Sequence, residues 1–204
     1  MAKQEERPVI RESRGLRKTA TTQQTTSDRR WLWLAVGVGA LVLLALALLF
    51  TRGGGGGDLS TVVQYPNQVR DHVNGLVTYE QTPPVGGPHN AAWQNCGIYD
   101  QPVASENAVH SLEHGAVWIT YDPELSPEDL ETLRNHARAR PFTLLSPFEN
   151  LPAPIVLSAW GVQLTVEEPD DPRIAAFIRE YRQGPQTPEP GAICTGGIGE
   201  PIES

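Results

Sequence analysis

Twenty consecutive residues, Trp31 to Phe50, carry no charged side chain, and this run divides the chain. At about 1.5 Å of rise per residue, a helix of that length crosses the roughly 30 Å hydrocarbon layer of a bilayer. Tryptophans at its start, with Arg29, Arg30 and Arg52 at its ends, suit the two membrane interfaces. A cleaved signal peptide has a shorter apolar region of about 7–15 residues, followed by a small-residue cleavage site. Here the Ala-x-Ala pair, Ala45 and Ala47, lies inside the run. The sequence therefore predicts a retained transmembrane helix over residues 31–52, with the lipid bilayer as its partner. The first thirty residues hold eight Lys/Arg against four Asp/Glu, and the chain after Arg52 holds seven against twenty. Basic residues stay on the cytoplasmic side. This is accordingly a single-pass protein of the cell membrane, with its N-terminus cytoplasmic and its C-terminal domain extracytoplasmic. The acidic outer part has the wrong sign for nucleic acid as a partner.

Composition sets the other boundaries. Residues 1–30, with a Thr/Gln-rich tract at 19–26, cannot bury a core and read as a disordered cytoplasmic tail. Residues 53–59 open with five glycines and form a flexible linker. Residues 60–183 form an extracytoplasmic domain, and 184–204 a Pro/Gly-rich C-terminal tail. Within the domain, a short strand at Val62–Tyr65, a helical turn at Gln68–Val73 and a strand at Leu76–Tyr79 precede an irregular loop, Gln81 to Gln94. Pro and Gly are too dense in that loop for helix or strand, and loops of this length are often functional. Ser126-Pro127-Glu128-Asp129 and Asp170-Asp171-Pro172 are helix starts. Leu130, Leu133 and Ala137 form the buried stripe of the first helix. Ile174, Phe177, Ile178 and Tyr181 form that of the second. Strands are expected at Phe142–Leu145, Ile155–Trp160 and Gln163–Val166. The fold class is α+β: one small domain with a mixed or antiparallel sheet and about three helices.

The stretch richest in chemistry runs from Ser105 to Tyr121. Ser105 reads as a helix N-cap and Glu106 as a first-turn carboxylate. Gly115 ends the helix, and Ala116–Tyr121 alternates like a half-buried strand. His110 and His114, four residues apart, lie on one helix face, a common arrangement for two imidazoles sharing a metal ion. Glu113 stands beside them, His89 lies in the irregular loop, and His72 precedes it. The candidate metal ligands are His89, His110, His114, Glu113 and His72, and imidazole-rich sites suit copper or zinc. His136, in a basic helix, reads as solvated. Trp93, Trp118 and Trp160 read as core or loop anchors. Cys96 and Cys194 both fall in the outer domain, where an oxidising compartment favours a disulfide that would fasten the tail to the core. The alternative is a thiolate from Cys96 at the metal, which would favour copper(I) or zinc.

Pro83-Pro84-x-Gly86-Gly87-Pro88-His89, Trp93, Gly97-x-Tyr99 and Val109-His110-Ser111-Leu112-Glu113-His114-Gly115 together resemble a bacterial membrane-anchored family, domain of unknown function 3105. The resemblance covers about residues 60–183, and the His-x-Leu-Glu-His-Gly block is its most specific part. Gly86 stands where the family pattern has serine. The resemblance implies a membrane-anchored outer domain and brings no established activity with it.

Three functions fit these residues. The first is binding of a transition metal, copper or zinc, through the His/Glu cluster, for metal handling or sensing. The second is a non-catalytic interaction or assembly module in which the histidines form a structural hydrogen-bond network. The third is a metal-dependent hydrolase, because His110-x-x-Glu113-His114 spells the inverted zinc-protease motif, in which the glutamate activates a metal-bound water.

Overall fold

A computed structural model describes residue 34 and residues 57–204 apart from 139. The expected tail at 1–30 and membrane span at 31–52 lie, Leu34 aside, outside the described residues, as do residues 53–56 of the linker. Among the described residues no helix is long and apolar enough to cross a membrane.

The unit that follows the linker carries six strands and three helices. In chain order they are β1 (Val63–Gln64), β2 (Gly97–Ile98), α1 (Ser105–Glu113), β3 (Val117–Tyr121), α2 (Pro127–Arg138), β4 (Thr143–Pro147), β5 (Ile155–Ala159), β6 (Val162–Val166) and α3 (Pro172–Tyr181). The strands make one sheet in the order β1-β6-β5-β3-β4-β2. β2, β3 and β4 run parallel, whereas β5 and β6 add to β3 as an antiparallel hairpin closed through Trp160-Gly161. The sheet is therefore mixed and the class α+β.

Both charged helix starts act as the sequence predicts. Ser126 Oγ accepts from Asp129 N–H at 3.2 Å and donates to its carboxylate at 2.7 Å, and Asp171 accepts from Arg173 N–H at 2.8 Å. Ser105 does not cap α1: the N-cap is Ala104, with no side-chain bond, and Ser105 is the first helical residue. Glu106 instead accepts the N–H of Val77 at 2.8 Å, holding the preceding segment against the helix. That segment forms neither the helical turn expected at 68–73 nor the strand expected at 76–79.

Two apolar cores lie on the two faces of the sheet. Val117, Ile119 and Tyr121 of β3 pack with Leu133 of α2 and with Ile174, Phe177 and Ile178 of α3. Trp118, one residue out of phase, packs with Ala108, Val109 and Leu112 of α1 and with Trp160. Because helices cover both faces, every residue of β3 is buried, and the strand expected to be half-buried is a central one. The polar residues this traps find partners: Trp118 Nε1–H donates to Ser146 Oγ at 2.9 Å and Thr120 to Val156 O at 3.0 Å.

Residues 184–204 fold back over the α1 side and the β2 edge. Asn95 N–H donates to Ile198 O at 2.9 Å, Ile198 N–H to Trp93 O at 2.9 Å, and Ile202 N–H to Ile98 O at 2.8 Å. Arg138 pairs with Glu203. Cys96 and Cys194 are disulfide-bonded with Cα atoms 5.4 Å apart, so Cys96 supplies no thiolate to a metal.

Candidate metal centre

The last turn of α1 carries His110 and its C-cap is His114, and the two rings meet edge to face with centroids 4.5 Å apart. The helix then stops abruptly. Gly115 takes φ +93°, its N–H returns to Leu112 O at 2.9 Å, and Ala116 N–H returns to Ser111 O at 2.9 Å. A Cβ at Gly115 would come within 3.0 Å of Gln183 Cα and of the Thr187 side chain, so the tail crosses directly beside the histidines.

His89 arrives from the irregular loop, which uses α1 in place of a strand partner. Asn90 N–H donates to Glu106 O at 3.2 Å and Gln94 N–H to Asn107 O at 3.1 Å. Asn107 Nδ2 donates to Ala92 O at 2.6 Å and Ser111 Oγ to Gln94 O at 2.7 Å. His72 is carried in by backbone pairing: Val73 N–H donates to His89 O at 2.8 Å and His89 N–H to Asp71 O at 3.0 Å. At Gly86 a Cβ would lie 2.8 Å from Gln68 Cγ, so Gln68 occupies the room that a side chain there would need.

Each of the three buried imidazoles is oriented in the same way. Nδ1 of His89, His110 and His114 lies 2.8, 2.7 and 2.7 Å from the carbonyl oxygens of Gly87, Asn90 and Ile193. A carbonyl can only accept, so each Nδ1 carries the proton, and in a neutral ring each Nε2 presents its lone pair. Nε2 of His110 and Nε2 of His114 are 3.0 Å apart. Two lone pairs at that distance repel unless a proton or a cation lies between the rings. Burial above all pushes the His110 imidazole down to about 4, with His114, His89 and His72 acting in the same direction and the Asn90 carbonyl opposing. His110 therefore carries no second proton at neutral pH. Two nitrogens bound to one zinc-type ion at about 2.0–2.1 Å stand roughly 2.9 Å apart at a right angle and roughly 3.3 Å apart in a tetrahedron. The observed spacing falls within that bite.

Glu113, 2% exposed, completes the group from the inside. Its Oε2 lies 3.0 Å from His89 Nε2 and 3.9 Å from His72 Nε2, and Arg70 Nε approaches its Oε1 at 4.0 Å. One potential ligand atom from each of His72, His89 and His110 falls within 4.8 Å of the others, so these three form a cluster able to hold a metal ion.

All five predicted ligands thus come together. His136 stands apart on α2, and it is half-buried rather than solvated: burial and Arg140 lower its pKa, against the Pro169 carbonyl. The tryptophans are anchors with a further placement. Trp93 has its ring centroid 5.1 Å from that of His114, and Trp160 stands edge-on to His89 at 5.8 Å. Sequence reasoning missed Glu189, whose Oε2 lies 3.5 Å from His114 Nε2. It sits in a Pro/Gly-rich segment with no periodic pattern, and only the Cys96–Cys194 pairing hinted that this segment reaches the site.

The donors are imidazole and carboxylate without thiolate, a set that suits zinc or copper(II), and the fixed Nδ1 protons are the usual outer support of metal-bound histidines. Glu113 is engaged by His89, and two cavities of about 430 and 220 Å³ are lined by residues outside the histidine cluster.

No curated protein and no solved structure matches the chain significantly. A family described as protein of unknown function (DUF3105) matches residues 72–196, more than half of the chain. The match starts at His72 and runs beyond residue 183 into the segment that carries Glu189 and Cys194. The chain belongs to this DUF3105 family.

Proposed function

We propose that the domain binds a transition-metal ion, zinc or copper, through its histidine cluster and serves metal handling or sensing outside the cell membrane. One observation carries the reading: Nδ1 of His89, His110 and His114 is committed to a backbone carbonyl, which leaves Nε2 of each ring as the nitrogen that can face a cation, and ligand atoms of His72, His89 and His110 lie within 4.8 Å of one another. The 3.0 Å contact between Nε2 of His110 and Nε2 of His114 matches the bite of two nitrogens on one ion. The outer location draws support from the disulfide, which suits an oxidising compartment, and from the eight Lys/Arg that precede the apolar run.

The test is metal content by mass spectrometry on the full chain in detergent, after exposure to zinc(II), copper(I) and copper(II) and removal of free ion. Near-stoichiometric metal in the wild type, lost in the His110→Ala/His114→Ala variant, is the expected result and names the ion. A wild type that retains no metal under any of these conditions overturns the reading and returns the cluster to an interaction module.

A further inference from the structure

The donors around the cluster outnumber what one four-coordinate ion uses, and their spacing is uneven. Six groups offer an atom: His72, His89, His110, His114, Glu113 and Glu189. Contacts of 4.0 Å or less sort them into two sets. His89 and His72 lie 3.0 and 3.9 Å from Glu113. His110 and Glu189 lie 3.0 and 3.5 Å from His114. His110 also borders the first set, its ring centroid 5.0 Å from those of His72 and His89 and one ligand atom from each of the three within 4.8 Å of the others.

His110 decides the count. Its Nδ1 is held by Asn90 O, so it has one lone pair, on Nε2, and can bind one ion only. That nitrogen faces His114 at the bite distance of a shared ion, so an ion there satisfies His110 and His114 together. His89, His72 and Glu113 then retain three donors of their own. Each set also has one member open to solvent: the side chains of His72 and Glu189 are each 48% exposed, against 0% for His89 and 6% for His114. Each set therefore has its own route of entry.

We infer that the cluster holds two metal ions in adjacent positions, one bound by His72, His89 and Glu113 and the other by His110, His114 and Glu189. This rests on the metal-binding reading above and specifies its stoichiometry and ligand sets. Trp93 walls the second position and Trp160 the first, so both are screened from bulk water on one side.

The experiment is calorimetric titration of the full chain in detergent with zinc(II), beside copper(II) loading followed by electron paramagnetic resonance. Two zinc equivalents are expected for the wild type. The surface substitutions His72→Ala and Glu189→Gln, chosen because exposed positions tolerate change, should each leave one. Two copper(II) ions this close couple magnetically, so the loaded wild type should show far less isolated-copper signal than its copper content, and each variant should regain it. One equivalent with an uncoupled signal in the wild type overturns the two-ion inference while leaving metal binding intact. So do two equivalents in both variants, or none in either. No zinc and no copper in the wild type overturns the underlying reading itself.

Discussion

Replacing both cysteines by serine tests how far the disulfide supports the fold and the candidate centre. Cys96 and Cys194 are 98 residues apart in sequence. Closing a loop of that size removes chain entropy from the unfolded state worth about 4.7 kcal/mol in the chain-entropy model, and native disulfides typically contribute about 2–5 kcal/mol. The folded state loses little directly, because Cys96 N–H still donates to Cys194 O at 2.8 Å, and the bonds to Ile198 and Glu203 persist. The loss should thus come mainly from the unfolded side, and the variant should fold natively at roughly 3–5 kcal/mol lower stability. For a domain of this size that corresponds to a midpoint lower by roughly 10–15 °C. The assay is urea unfolding of the oxidised wild type against Cys96→Ser/Cys194→Ser, followed by far-ultraviolet circular dichroism. The neighbouring Ile193 carbonyl holds His114 Nδ1, so a loosened tail should also weaken metal binding, by no more than the roughly 10–100-fold of losing one outer support. A stability change below about 1 kcal/mol would refute the reasoning, because the tail would then be constrained in the unfolded chain or held entirely by its other contacts.

Two further outcomes follow from particular residues. His110 is held at about 4 in the folded protein against about 6.5 for a free imidazole, so the unfolded chain takes up its proton first as pH falls. The stability it supports is present above pH 6.5 and is lost progressively toward pH 4, by up to roughly 3 kcal/mol. Denaturation of chelator-treated protein between pH 7.5 and 4.5 should show this loss and a shallower one for His110→Gln; equal slopes refute it. Gly115→Ala should destabilise by about 2 kcal/mol, since φ +93° disfavours a side chain and the added Cβ meets Gln183 backbone at 3.0 Å. An unchanged unfolding midpoint would show that the helix end relaxes freely.

Local patterns wrote much of this molecule legibly. The starts at Ser126-Pro127 and Asp171-Pro172, and the apolar stripes behind them, act through bonds within one helical turn, so reading a few residues is enough. The i, i+4 pair His110 and His114 was legible for the same reason. What failed to show depends on neighbours distant in sequence. Glu106 looked like a dipole partner, yet its carboxylate serves Val77, and the segment around Val77 is fixed by that bond rather than by its own propensity. β3 looked half-buried because its sequence cannot reveal that α1 covers one face while α2 and α3 cover the other. His114 is oriented by a carbonyl 79 residues further on, and Glu189 reaches it from the same segment. That segment, rich in proline and glycine, has the weakest local signal in the folded domain, and its path is set by long-range contacts and by one covalent bond. The cysteines were therefore the better guide to the second half of the site, since a cross-link reports proximity without any periodic pattern. The tail belongs to the candidate centre as much as the end of α1 does: the helix end carries His110 and His114, and the tail brings the Ile193 carbonyl and the Glu189 carboxylate against His114.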